Sequence, residues 1–282
     1  MSATATWWQS LPSRIDPFII EIGSFRLGWY GMMYVLAFAT FYLLGSYRIR
    51  RDRLPYSMEM FQDYLVWAAF GLIIGARLGY VLIYNFGYYA SHPLEIIMPF
   101  EFTGSGLRFR GIAGMSYHGG LIGVVLMSLI FMRRRRESFL LFAERFVPAI
   151  PLGYVFGRMG NFINGELYGR ATDSAWGMYF PSDPAHRLRH PSQLYEAFFE
   201  GLVLFAILWP LRNRKSMQGL MLPAYLAGYG VVRFLIEYLR QPDEQLGFVL
   251  LNLSMGQMLC ILMVFAAVAL ALSNRVFRPL SH

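Results

Sequence analysis

Residues 29–53 read WYGMMYVLAFATFYLLGSYRIRRDR. No charge falls between Trp29 and Tyr47, and a helix of that length, rising about 1.5 Å per residue, covers the ~30 Å hydrocarbon core of a bilayer. Arg48, Arg50, Arg51 and Arg53 follow at once, the mark of a span that ends on the cytoplasmic side. Six further apolar runs have this character, over residues 64–84, 117–132, 146–162, 194–211, 220–239 and 253–272. Basic clusters recur after the third (Arg133 to Arg136), the fifth (Arg212, Arg214, Lys215) and the seventh (Arg275, Arg278). Basic loops after alternate spans put the N-terminus outside and the C-terminus in the cytoplasm.

Composition agrees with that reading. Of 282 residues 56% are hydrophobic and 15% charged, against roughly 25% charged in soluble domains, and the mean hydropathy is +0.41. A soluble single-core globule and extended disorder are both excluded. The expected fold class is all-α, a polytopic integral membrane protein of about seven transmembrane helices forming one domain over residues 1–282. An interfacial arm is expected over 1–28, where Trp7 and Trp8 suit the headgroup layer, with external loops over 85–116 and 163–193. Asp16 and Glu21 interrupt the N-terminal stretch, so no cleavable signal peptide is expected. The net charge of +8 sits beside the spans rather than in a separate soluble module, so no nucleic-acid partner is implied. Cys260 is the single cysteine, which excludes a disulfide framework or a thiolate metal site.

Charges within apolar runs carry the functional signal, because an Arg near the centre of a membrane helix costs ~2.5–3.5 kcal/mol unless something compensates it. Arg77, Arg158 and Arg233 are three such residues. Tyr229, Arg233 and Glu237 recur at i, i+4 and i+8 and share a helix face, with Arg240 three residues on. That stripe reads either as an ion pair locking two helices or as a surface for an anionic ligand. In Gly157-Arg158-Met159-Gly160-Asn161-Phe162-Ile163-Asn164-Gly165-Glu166, Arg158 and Asn161 share a face and Asn164-Gly165 ends the helix. A cation, an amide and the Glu166 carboxylate gather there, although Gly153, Gly157 and Gly160 also suit plain close packing. His118, opening the third run, can act as a general base or simply bond a backbone carbonyl. His190 and Glu196, next to Pro191 and Ser192 at a helix start, read as structural. No Gly-x-Ser-x-Gly elbow, His-Glu-x-x-His or Walker loop occurs, so metal- or nucleotide-dependent chemistry has no support and no cofactor is expected.

The Gly157-to-Glu166 run resembles the signature of bacterial prolipoprotein diacylglyceryl transferases. So do Trp29-Tyr30-Gly31, the stretch from Gly75 to Tyr80, His118-Gly119-Gly120, the stretch from Arg189 to Glu196, and Arg233 through Asp243. The resemblance implies a multi-pass enzyme of the bacterial inner membrane with its site toward the periplasm. Its substrates would be phosphatidylglycerol and a prolipoprotein whose signal peptide carries a lipobox cysteine; the diacylglyceryl group moves to that thiol and glycerol phosphate leaves. It further implies that Arg158 binds phosphate, that Arg233 is a second essential arginine within the Tyr229 and Glu237 stripe, and that His118 is the base. Asn161, Glu166, Gly169 and Tyr30 fall on signature positions shaping the lipid site, and Arg77 lies in a matching motif. Gly28 stands where many members have a histidine, and the loop over residues 100–114 is longer than usual.

The residue types suit that chemistry. A free thiol with a pKa near ~8.5 is only a few per cent thiolate at neutral pH, so a base raises the reactive fraction. Charge grows on the departing phosphate, where two guanidiniums stabilise the transition state more than the ground state. Two other classes remain: an anionic-lipid carrier or flippase passing the head along Arg77, Arg158 and Arg233, and a lipid-binding scaffold without chemistry. A carrier needs polar residues continuing to the cytoplasmic side, whereas these cluster outward.

Overall fold

The structure is a computed structural model that describes residues 6–23, 25–97, 100–103, 106–109, 114–241, 248–250 and 253–273. It is mostly helical. The helices are α1 (Trp29–Arg51), α2 (Met58–Gly79), α3 (Phe86–Ser91), α4 (Tyr117–Arg134), α5 (Phe139–Phe146), α6 (Ile150–Ile163), α7 (Ser192–Glu196), α8 (Leu204–Leu211), α9 (Met221–Ile236) and α10 (Met255–Ser273). Among the described residues the strands form only two-stranded antiparallel hairpins: β1 (Phe18–Ile22) with β2 (Phe25–Gly28), β3 (Phe100–Thr103) with β4 (Gly106–Phe109), β5 (Met178–Tyr179) with β6 (Leu188–Arg189), and β7 (Phe248–Leu250) with β8 (Leu253–Ser254).

Among the described residues five helical segments are long and apolar enough to cross a membrane: Trp29–Arg51, Met58–Tyr84, Phe139–Ile163, Ser192–Leu211 and Met255–Ser273. They answer to the first, second, fourth, fifth and seventh runs of the sequence. The third and sixth runs are helical too, as α4 with 18 residues and α9 with 16. Three segments depart from continuous α-helix, the first a π-helix over Tyr80–Tyr84 that closes the second run. Pro148 and Pro151 remove backbone donors, and a 3-10 turn over Val147–Ala149 separates α5 from α6. Between α7 and α8 the chain widens into a π-helix over Ala197–Val203. The sixth run also ends early: α9 stops at Ile236, so Arg240 is not on its face as the step of three from Glu237 suggested. The last basic cluster, Arg275 and Arg278, and much of the loop over residues 100–114 lie outside the described residues.

The chain forms two compact units. In the unit spanning residues 55–142, α2 and α4 approach until glycine faces glycine. A Cβ on Gly75 would lie 2.7 Å from the Gly123 Cα and 3.0 Å from its nitrogen, and one on Gly79 would lie 2.7 Å from the Gly119 Cα. Such small-residue contacts let helix backbones gain dispersion energy that lipid-facing leucines cannot supply. Gly75→Val therefore forces the helices apart, and we expect a loss of about 3 kcal/mol or more, read as a lower unfolding temperature in detergent; an unchanged temperature would show that the helices can shift without cost. Tyr64 and Ser128 hydroxyls meet at 3.2 Å across the same pair. Arg77 closes one end of this unit: its guanidinium donates to the carbonyls of Ile96 (2.8 Å), Glu95 (2.6 Å) and Gly114 (3.4 Å) and lies 4.9 Å from the Tyr89 ring centroid.

In the unit formed by residues 1–54 and 143–282, α1 packs on α6, with Gly153 against the Ala37 backbone. Arg48, only 3% exposed, is held by Asp52, which Arg212 also reaches at 2.9 Å. Glu144 caps the start of α9 by accepting from the Met221 and Leu222 amides at 3.0 and 2.7 Å, satisfying donors that a helix N-terminus leaves open. At the far end of α6, Phe162, Met178 and Phe180 are buried with Trp8, Leu11 and Tyr168 around them, so the N-terminal arm is packed onto the segment after α6.

Candidate active site

The unit formed by residues 1–54 and 143–282 gathers most of the residues singled out from sequence. Asn164 and Gly165 end α6 as the sequence suggested, Gly165 adopting φ +67°, a conformation glycine adopts without strain. Just before that break, Arg158 projects from α6 toward α7. Its Nη1 lies 3.0 Å from Oε2 of Glu196, and the Nη1 of Arg233, from α9, lies 3.0 Å from the same oxygen. The Nη1 of Arg240 takes the other oxygen, Oε1, at 3.0 Å. Three guanidiniums thus converge on one carboxylate that is 0% exposed, while the arginine side chains keep 12–15% exposure.

A second carboxylate supports the same arginines. Arg233 Nη2 lies 3.1 Å from Glu237, the residue capping the end of α9, and Glu237 also accepts the Ser254 hydroxyl at 2.9 Å. Of the two readings of the Tyr229, Arg233, Glu237 stripe, the ion pair is formed, and it extends to α7 through Glu196. Tyr229 stands edge-on to Tyr154 at 5.8 Å, and the Arg158 guanidinium lies 4.9 Å from the Tyr154 ring centroid. Tyr154 also donates its hydroxyl to Glu200, a carboxylate on the π-helix that contacts Arg233 at 3.7 Å.

Arg240 reaches Glu196 by a different route from that expected. It follows a turn over residues 237–239 and forms an isolated β-bridge with Gly169, and residues 169–172 pair in turn with residues 188–190. The Gly169 amide donates to the His190 carbonyl at 2.8 Å, and the Arg170 amide to the Leu239 carbonyl at 2.8 Å. A Cβ on Gly169 would sit 2.8 Å from the His190 Cβ and 2.9 Å from its carbonyl oxygen. Only glycine fits between these two backbone segments. Beneath this ladder Arg189 forks onto Asp183 with two 2.8 Å bonds, which hold the Asp183 carboxyl down at about 2 and raise the arginine. Burial pushes His190 below its ordinary value, and its Nδ1 meets the Tyr195 hydroxyl at 3.3 Å, in keeping with a structural part.

Tyr30 begins α1 and bonds the Tyr34 hydroxyl at 3.2 Å, with the rings edge-to-face at 5.1 Å. A Cβ at Gly160 would lie 3.2 Å from the Tyr30 ring, so the α6 glycine lets that tyrosine approach. Asn161 donates to Glu166 at 2.8 Å across the helix end. Arg77 and His118 belong to the unit over residues 55–142. There His118 is exposed on the first turn of α4, beside Tyr117, while Ser116 caps that helix at the Gly119 amide.

Glu196 and Glu200 are what the sequence reading passed over as chemistry. Both carboxylates lie in a run apolar enough to cross a membrane, so the cost that singled out the arginines applied equally to them. Their spacing of four residues on one helix was the available signal.

Comparison with known proteins bears on the same segments. The sequence matches the family model described as prolipoprotein diacylglyceryl transferase over residues 17–273. A protein of Chlorobaculum tepidum named phosphatidylglycerol–prolipoprotein diacylglyceryl transferase is 53% identical, covering 94% of this chain and 92% of its own. Proteins of the same name from Bordetella avium and Helicobacter pylori are 45% and 40% identical, covering 91% and 94% of this chain and 94% of their own lengths in each case. With helices, glycine contacts and arginine cluster all inside the matched region, the chain belongs to the prolipoprotein diacylglyceryl transferase family.

Proposed function

We propose that this protein transfers the diacylglyceryl group of phosphatidylglycerol to the lipobox cysteine thiol of prolipoproteins, releasing glycerol phosphate. The observation that carries the reading is the meeting of Arg158 and Arg233 on one oxygen of Glu196. Two guanidiniums held around a single anionic oxygen are preorganised for a phosphate oxygen, which can take the place of the carboxylate. Arginine suits this task because its planar fork matches phosphate geometry. In the reaction the thiol sulfur attacks the glycerol carbon that bears the phosphate ester. A C–S bond forms, the C–O bond breaks, and the electron pair leaves on the phosphate, where Arg158 and Arg233 offset the growing charge. His118 takes the thiol proton. Asn161, Glu166, Tyr30 and Gly169 shape the lipid site, Tyr229 and Glu237 orient Arg233, and Arg77 fixes the segment after α2.

The enzyme works in the bacterial inner membrane as a single domain of seven spans, N-terminus outside and C-terminus cytoplasmic. Residues 1–28 form an interfacial arm, and residues 85–116 and 163–193 face the periplasm with the site. Support comes from the alternation of basic clusters and from the helical state of all seven apolar runs. Purified protein incubated with phosphatidylglycerol and a lipobox peptide should add one diacylglyceryl mass to the peptide. A carrier would leave that mass unchanged. For His118→Asn the neutral-pH rate should fall by about 100-fold and recover as the pH rises toward the thiol pKa; an unchanged neutral rate would remove His118 from the proton transfer.

A further inference from the structure

We propose that Glu200 is the charge-compensating residue of this site, taking up one proton when a phosphate head settles on Arg158 and Arg233, a role that rests on the transferase reading above. Arg158, Arg233 and Arg240 are joined by ion pairs to Glu196, Glu200 and Glu237. Three cations against three carboxylates leave the cluster neutral when every group is ionised. A phosphodiester brings one further negative charge into surroundings that solvate it poorly, where an uncompensated ion is costly. A proton bound by one carboxylate restores the balance.

The three carboxylates are not equally placed to take it. Glu196 accepts three guanidiniums at 3.0 Å. Glu237 has one oxygen, Oε2, that accepts no hydrogen bond among the described residues, but that oxygen lies 3.1 Å from Arg233 and 4.0 Å from Arg240, and its other oxygen accepts the Ser254 hydroxyl at 2.9 Å. Glu200 has its ion-pair contact at 3.7 Å, to Arg233, and its Oε1 accepts no hydrogen bond among the described residues. Its other oxygen receives the neutral Tyr154 hydroxyl, which also lies 3.4 Å from Glu196. Its carboxylate is 0% exposed. The groups facing it are Tyr154 and Arg158 from α6, Glu196 from α7 and Arg233 from α9, with Cys260 of α10 in electrostatic contact. Once phosphate draws Arg233 away, Glu200 loses its nearest cation and keeps a neighbouring carboxylate, and both conditions favour its neutral form. The π-helix that carries it is a device common at functional sites.

Short-chain phosphatidylglycerol titrated into the purified protein in weakly buffered neutral detergent tests this. The wild type should take up close to one proton per lipid bound, with affinity rising by about tenfold for each pH unit lowered. A carboxylic-acid C=O band should appear in the infrared difference spectrum. Glu200→Gln should bind without proton uptake, without that band and with pH-independent affinity. Tyr154→Phe, which keeps the carboxyl but removes its hydrogen bond, should shift the band, so that the assignment does not depend on Glu200→Gln folding. Lipid binding without uptake in the wild type, uptake undiminished in Glu200→Gln, or a band unmoved by Tyr154→Phe would each overturn the role of Glu200 while leaving the transferase reading standing. No binding of phosphatidylglycerol at any pH would overturn both.

Discussion

Arg233→Ala should lower diacylglyceryl transfer by about 100- to 1000-fold, the scale of removing a donor aimed at charge that develops in the transition state. Arg233 contacts Glu196 at 3.0 Å, Glu200 at 3.7 Å and Glu237 at 3.1 Å. Its loss leaves three carboxylates facing Arg158 and Arg240, and the site changes from neutral to negative. Phosphate is then repelled in the ground state and unsupported in the transition state, so kcat and kcat/KM both fall. Some stability is lost as well, since removing one partner of a buried pair typically costs about 3–5 kcal/mol, so the assay is paired with a melting curve in detergent. Folded variant with transfer within tenfold of wild type would remove Arg233 from the mechanism.

Glu196→Gln should act differently. The amide keeps the shape but offers one acceptor oxygen where the carboxylate serves three guanidiniums. The cluster gains a net positive charge, so phosphatidylglycerol binds at least as tightly and KM holds or falls. Arg158 and Arg233, no longer drawn to a common point, lose the alignment on which kcat depends, and a misplacement of about 1 Å is enough to cost about 100-fold. Falling kcat with steady KM marks a group that positions its neighbours. If KM rose while kcat stayed, Glu196 would be contributing to lipid binding alone.

Local signals carried much of the architecture. Uncharged runs ending in arginines located the helices, because hydropathy and length are properties of contiguous residues; Asn164-Gly165 ended α6 for the same reason. What depends on partners distant in sequence was not legible. The i, i+4 spacing placed Arg233 and Glu237 together correctly but could not reveal that α7 supplies Glu196 from across the bundle. The spacing puts Arg240 on a continuing helix face, whereas α9 ends at Ile236 and a turn with an isolated bridge to Gly169 brings that arginine in. Gly169 read as part of a lipid site, and its backbone neighbours give it a steric reason of its own. Arg77 looked like an uncompensated charge in a span; its compensation is a set of loop carbonyls more than fifteen residues downstream, which no periodicity encodes.

The most direct test of the arginine pair as the phosphate site is a solid-state NMR measurement on protein with 15N-labelled arginine in bilayers containing phosphatidylglycerol. Bound lipid should bring 31P into dipolar contact with the guanidinium nitrogens of Arg158 and Arg233, and the contact should vanish when neutral lipid replaces phosphatidylglycerol. Guanidiniums that remain in contact with the Glu196 carboxyl carbon alone, with no coupling to phosphorus while lipid is bound, would contradict it.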